Sequence, residues 1–405
     1  MKKLLTGALI ALLLLGILFG CNPLAAQETP TAEPTEPASE PPIEAEVLTA
    51  EPTEEPVLPP TQEPTEEPTP TPEPTPTPEP TPTPEPTPTP EPVICFDDSA
   101  FGVFTPGKET GITLTAEDPS LLQKDQKAEI RLADGTVIGS GKLSRNKKNT
   151  IRIRIPDGSP VRTTLYLYLD GVDYLIDTRD VPVLDNTYQQ INGNYERGDQ
   201  MVTFTFDCGY GEVNTDWLLD TLKEYGVHAT FFMTGEWMSN HGKWIERMIA
   251  EGHEIGNHSQ SHPRLTEKKD TEIYRQISLP QERMLAEHGY RIHLFRAPYG
   301  ASSPKVNTIA RYLGCEVIKW GQTSKDASEE WKGDRIIKLL LKETEPGDII
   351  LCHNGAKELH KYLVPVLKEF IARGYTFCTV SEMMGWTWDD TFTARETMDL
   401  SVWQN

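Results

Sequence analysis

The chain lacks any apolar run of the roughly 20 residues that a helix needs to cross a bilayer. Its apolar stretch over residues 4–19 is too short. Cysteine is scarce, with six in 405 residues. Setting Cys21 aside leaves an odd number without regular spacing, so no disulfide framework holds the fold. Cys315, Cys352 and Cys378 lie in or beside apolar runs, where a thiol behaves as a small hydrophobe. An excess of basic charge is missing too, and the acidic balance argues against nucleic acid, a partner that needs a clustered basic face. The formal net charge is −23, but it is local: residues 28–92 hold sixteen glutamates and no lysine, arginine or aspartate, leaving −7 for the remainder.

What is present falls into segments of different character. Met1-Lys2-Lys3, the apolar stretch and Gly20-Cys21 have the layout of a secretory signal. The ending Leu18-Phe19-Gly20-Cys21 resembles a bacterial lipoprotein signal, in which the cysteine is acylated. Residues 1–27 are therefore expected to be a lipoprotein-type signal, with Cys21 lipidated and the protein anchored on the extracytoplasmic face of a membrane. A plain signal cut near Ala25-Ala26 and a retained anchor are the alternatives, and all three export the chain. Residues 28–92 end in repeats of Thr-Pro-Thr-Pro-Glu-Pro. Proline fixes φ and removes backbone donors, so the segment reads as a disordered, extended Pro/Thr/Glu spacer.

Over residues 93–190, Ile112-Thr113-Leu114-Thr115, Ala128-Glu129-Ile130-Arg131-Leu132 and the runs at 150–155 and 164–169 alternate with period two. Asp134-Gly135, Asp157-Gly158 and Asp170-Gly171 are turn pairs between them. This pattern predicts a small all-β, immunoglobulin-like sandwich. Tyr166 and Tyr168 could bind glycan there, or the sandwich could be a spacer. Residues 195–390 alternate strand-like runs (202–206, 229–233, 292–296, 316–320, 348–352, 376–380) with helical ones (216–225, 243–251, 271–288, 304–313, 334–344, 361–373). Such alternation predicts an α/β domain of parallel strands with crossover helices, carrying its chemistry at the strand C-termini. Residues 391–405 are a tail.

Chemistry-bearing residues gather where those strands end. Asp207 and Cys208 follow one strand, Arg296 ends another, and His353 follows a third. His258 and His262 are four apart, a spacing that on a helical turn puts both imidazoles on one face and suits a single metal ion. In order and spacing, the segments 205–210, 258–263, 296–300, 320–326 and 351–353 resemble the polysaccharide deacetylases, the NodB-homology group of carbohydrate esterase family 4. The resemblance covers roughly residues 199–385. It implies a distorted (β/α) barrel of about seven units and metal-assisted removal of acetyl groups from a polysaccharide.

Carried over residue by residue, the resemblance makes Asp207 the catalytic base, Arg296 its orienting partner and His353 the general acid. Asp326 is the aspartate expected to hold Arg296. The Tyr299 N–H serves the oxyanion, and Leu351 and Trp320 are substrate-pocket candidates. A divalent metal, zinc in the first instance, would sit on His258, His262 and the residue at position 208. There the chain departs from the pattern, with Cys208 in place of the second aspartate. A zinc-ligating thiolate, a bystander thiol, a silent glycan binder and, remotely, a nucleophilic thiol are the alternatives. Thr323 and Ala327 also replace an aspartate and a tryptophan of the pattern, with Trp331 and Trp386 as substitutes for the latter. Peptidoglycan amino sugars lead as substrate, followed by O-acetylated xylan-like polymers.

Overall fold

Why period-two segments become sheets is clearest in the N-terminal half. The computed structural model describes residues 94–98, 101–172, 174–193, 198–209 and 214–388. The signal, the spacer, Cys21 and the tail lie outside the described residues. Seven strands come first: β1 (Ile94–Phe96), β2 (Glu109–Ala116), β3 (Lys127–Arg131), β4 (Val137–Lys142), β5 (Lys148–Arg154), β6 (Arg162–Leu169) and β7 (Asp177–Pro182). They form two antiparallel sheets, ordered β1-β2-β5 and β4-β3-β6-β7. Alternate side chains such as Leu114, Ile151, Ile153, Leu165 and Leu167 bury one apolar core. Tyr166 and Tyr168 fall on the opposite parity of β6 and are half-buried, with the Arg131 guanidinium 4.5 Å from the Tyr168 ring centroid.

The second half is a curled parallel sheet with helices outside it. Its elements are β8 (Met201–Cys208), α1 (Thr215–Glu224), β9 (Ala229–Met233), α2 (Gly235–Met238), α3 (Gly242–Ala250), β10 (Glu254–Asn257), α4 (Asp270–His288) and β11 (Leu294–Phe295). They continue with α5 (Pro304–Tyr312), β12 (Glu316–Val317), β13 (Gln322–Thr323), α6 (Gly333–Glu343), β14 (Ile349–His353), α7 (Leu359–Ala372), β15 (Thr376–Phe377) and α8 (Val380–Met384). Seven strands run in the order β12-β11-β10-β9-β8-β14-β13, and β15 pairs with the start of β8.

The barrel is open between β12 and β13, and residues 191–193 run through the opening. Ile191 N–H donates to Val317 O (2.9 Å), Lys319 N–H to Ile191 O (2.7 Å), and Ile349 N–H to Gly193 O (3.1 Å). Backbones approach so closely here that a Cβ on Gly321 would collide with the Gly193 carbonyl. Ordered contacts also join the two halves. Arg162 donates to Tyr312 O (2.6 Å), Val103 N–H donates to Asp270 Oδ2 (2.9 Å), and Phe101 packs against Tyr274 with ring centroids 4.6 Å apart. The sandwich thus docks on α4 and α5.

The pleat of β8 decides which residues can do chemistry. Val202, Phe204, Phe206 and Cys208 point into the apolar layer beneath the helices. Thr203, Thr205 and Asp207 take the other parity, toward the barrel interior, whose floor is built from Phe232, Leu294, Ile318 and Ile349. Three strands are shorter than expected. The run at 292–296 forms a strand only at Leu294–Phe295 before turning into Pro298, and that at 316–320 only at Glu316–Val317, with Ile318 making a single bridge to Ile191. The run at 376–380 ends early because Thr379 and Glu382 form a reciprocal capping box that starts α8. β10 and β13 are polar and short, and no apolar run announces them. No helix among the described residues is long and apolar enough to cross a membrane.

Candidate active site

Arg296 is fully buried at the end of β11, where an unpaired cation would be prohibitively costly. Its guanidinium donates to Thr205 Oγ1 (2.8 Å), Asp207 Oδ1 (2.8 Å) and Lys319 O (2.8 Å). Beneath it lies the Phe232 ring, 4.0 Å from the guanidinium carbon. Thr205 passes the connection on, donating to Ile350 O (2.8 Å). Burial acts against the Asp207 charge, but the neighbouring His258, Arg296 and His353 outweigh it and hold the carboxyl below its ordinary value.

The other carboxylate oxygen, Asp207 Oδ2, lies 3.3 Å from His258 Nε2. His258 Nδ1 is 2.8 Å from Arg296 O. A carbonyl only accepts, so the proton sits on Nδ1 and the Nε2 lone pair faces the site. Burial pushes the His258 pKa down to about 4, against the pull of Asp207, which keeps the ring neutral. The two histidines are not on a helical turn as their spacing suggested. Ser259 and His262 adopt left-handed φ angles of 69° and 58°. Side chains then satisfy the backbone: Asn257 Oδ1 accepts from Ser259 N–H (2.8 Å) and Ser259 Oγ from His262 N–H (3.0 Å). Gln276 on α4 clamps the loop, accepting from Ser261 N–H (3.0 Å) and donating to Ser261 Oγ (3.0 Å). The result sets the two imidazole rings edge-on, 4.9 Å apart.

Opposite stands His353 at the end of β14. Its Nδ1–H donates to Asp326 Oδ1 (2.8 Å), its backbone N–H to Asp326 Oδ2 (3.0 Å), and Tyr362 OH also donates to Oδ2 (2.7 Å). Burial disfavours the imidazolium, yet the Asp326 hydrogen bond and charge, helped by Asp207, raise the His353 pKa above its ordinary value. Asp326 therefore holds His353 and not Arg296, whose bonds go to Thr205, Asp207 and Lys319. Tyr362 and Gln276 escaped sequence reading. Each sits mid-helix, with only its polarity among apolar neighbours as a signal.

Cys208 is where the expectation of a ligating thiolate departs most from the structure. It is 0% exposed in the layer beneath the helices, on the parity opposite Asp207, with Sγ 3.6 Å from Phe206 O. Burial, then the Asp207 charge, pushes its pKa well up, so it is a thiol. Leu351 is buried on β14, while Trp320 is half-buried with its ring centroid 5.7 Å from the Arg296 guanidinium carbon. Tyr299 is 60% exposed, at a left-handed φ of 60°. Trp331 lies under Lys325 and Arg335, and Trp386 packs at the barrel floor.

Comparison with known proteins agrees with this arrangement. The polysaccharide deacetylase family profile matches residues 194–318. A peptidoglycan-N-acetylglucosamine deacetylase of Listeria monocytogenes is 33% identical over 190 residues, covering 46% of this chain and 39% of that protein. A peptidoglycan-N-acetylmuramic acid deacetylase of Bacillus subtilis is 31% identical, covering 46% of this chain and 72% of that protein. A chitooligosaccharide deacetylase of Sinorhizobium fredii is 36% identical, covering 39% of this chain and 74% of that protein. The chain belongs to the polysaccharide deacetylase family. It spans about two fifths of the length of the Listeria relative.

Membership in the polysaccharide deacetylases implies a divalent metal, and the residues present fit one in donor chemistry. His258 Nε2 and Asp207 Oδ2 are two acceptors facing each other at 3.3 Å, an arrangement that favours a cation between or beside them. The His258 Nδ1–H bond to a carbonyl is the kind of orienting contact that metal-bound histidines make. Burial also lowers the His262 pKa, leaving it neutral and able to ligate. Among the described residues, no three His, Cys, Asp or Glu side chains are already drawn together around one point.

The opposed electrostatics of this deacetylase-family site can be read by histidine NMR on the metal-free protein. His353 should stay protonated above the ordinary histidine value, and His258 should stay neutral down to about pH 4. A raised folded-state pKa stabilises the fold below the unfolded value near 6.5, and that contribution is lost as pH rises through the folded value. Asp326→Asn should lower the His353 pKa. An unchanged His353 titration in that variant would contradict the pairing.

Proposed function

We propose that the chain is a metal-dependent hydrolase that removes N-acetyl groups from a cell-envelope polysaccharide, with peptidoglycan amino sugars as substrate. One observation carries this reading. Two carboxylates in one site are committed to opposite tasks: Asp207 is held ionised beside Arg296, and Asp326 holds a proton on His353. That division is what amide hydrolysis requires. As water attacks the acetyl carbonyl, Asp207 takes its proton. As the C–N bond breaks, His353 Nε2–H donates to the leaving nitrogen, giving acetate and a free amine. A divalent metal, zinc in this reading, held by His258 and His262, would supply Lewis-acid chemistry at the acetyl carbonyl. The Tyr299 N–H, Leu351 and Trp320 are assigned to the oxyanion and acetyl pocket on family resemblance.

Export and attachment through a lipid on Cys21 complete the proposal, on the strength of the N-terminal sequence. The spacer would give the catalytic barrel reach into the envelope.

Acetate release by the purified full chain from peptidoglycan, chitooligosaccharide and acetylxylan tests the reaction. Release from the N-acetylated polymers is expected, and Asp207→Asn should reduce kcat by about 10²–10⁴-fold. Release from acetylxylan alone would make the protein an O-acetyl esterase, and no release from any polymer would leave a silent glycan binder. For the anchor, Cys21→Ala should move the protein from the membrane fraction to the medium or soluble fraction. Retention of that variant on the membrane would refute lipid attachment at this residue.

A further inference from the structure

Tyr299 is an unusual residue to find exposed at this site. A non-glycine side chain at left-handed φ costs about 1–2 kcal/mol, and such conformations concentrate where function sustains them. Its ring does two things. One contact is with His262, ring centroids 4.6 Å apart and nearly perpendicular. The other is with Arg264, whose guanidinium carbon lies 4.9 Å from the ring centroid. Arg264 comes two residues after His262, past Pro263, and its side chain is 49% exposed. Its Nε faces Glu267 at 3.6 Å, while its two terminal nitrogens bond nothing among the described residues. A guanidinium thus sits over an aromatic ring that also touches a histidine of the site, and about half of its side chain is exposed.

Resting on the deacetylase reading, we propose that Arg264, seated on Tyr299, binds a carboxylate carried by the glycan, next to the acetyl group being removed. Arg264 is then a specificity-determining residue that distinguishes a carboxylate-bearing sugar from a neutral one. Arginine has donors and no acceptor, and its planar fork matches a carboxylate with two parallel bonds. A guanidinium seated over a ring is already restricted, so less freedom is lost when the anion arrives. The net charge of the chain gives such a local cation its importance. Outside the glutamate-rich segment the chain still carries a net −7, so an anionic polymer gains no general attraction. The shared ring fixes how far the carboxylate sits from His262, so Arg264 acts on which sugar is presented.

The test uses the full-length protein and two forms of one probe: peptidoglycan strands stripped of peptide, and the same strands with their ether-linked carboxylates reduced to alcohols. Calorimetric titration of the wild type should give about tenfold tighter binding to the carboxylated strands, the scale of one partly exposed charge-assisted interaction. The preference should shrink as salt is raised. Arg264→Met should bring the affinity ratio to about one, and Arg264→Lys, which keeps the charge without the fork, should fall between. Equal wild-type affinities, or a preference that survives Arg264→Met, would overturn the proposal. Acetate release from the reduced strands reports the reaction separately. Release without an Arg264-dependent preference sinks this inference alone, whereas the preference without release sinks the deacetylase reading alone. Binding to neither strand sinks both.

Discussion

A guanidinium sealed inside a barrel is the constraint on which the rest of the site depends. Arg296 has no exposed surface, and its charge is compensated by Asp207, Thr205 and a backbone carbonyl. Removing one partner of such a pair leaves a buried charge, which typically costs about 3–5 kcal/mol. Asp207 therefore cannot take a proton cheaply, and its two oxygens face Arg296 and His258. The Arg296 carbonyl also orients His258 through Nδ1. One residue so sets the ionisation of the carboxylate and the tautomer of the imidazole beside it.

The remaining geometry follows from pleats and strand ends. Parity on β8 sends Asp207 into the barrel and Cys208 into the apolar layer beneath the helices. Parallel strands β8, β10, β11, β13 and β14 all deliver their chemistry at the same end. On the far side of the cavity a second pair, Asp326 and His353, carries the opposite assignment of charge. Its support is independent of the first, since Tyr362 on α7 and the His353 backbone both fix Asp326. Two self-contained pairs allow a base and an acid to coexist within one site.

Much of this was legible before any coordinates. Apolar runs and turn pairs revealed the antiparallel sandwich and the alternation of parallel strands with helices, because burial and backbone freedom leave a mark on sequence, while the family resemblance implied the barrel. Asp207, Arg296 and His353 stood out by falling at strand ends, and His258 by its spacing from His262. What stayed hidden was set by tertiary contacts. The loop carrying His258 and His262 owes its shape to Asn257, Ser259 and Gln276, and spacing alone pointed to a helix. Asp326 is paired with His353 by a register between β13 and β14 that no local pattern encodes. The depth of Cys208 is a matter of one step of strand parity.

The measurement that tests the buried pair most directly is a denaturant-unfolding cycle on Arg296→Met, Asp207→Asn and the double variant. If the pair organises the site, Arg296→Met alone should be strongly destabilised, by about 3–5 kcal/mol. The double variant should recover part of that loss, with a coupling of about 0.5–3 kcal/mol. Additive single losses, or an Arg296→Met variant as stable as wild type, would contradict the account.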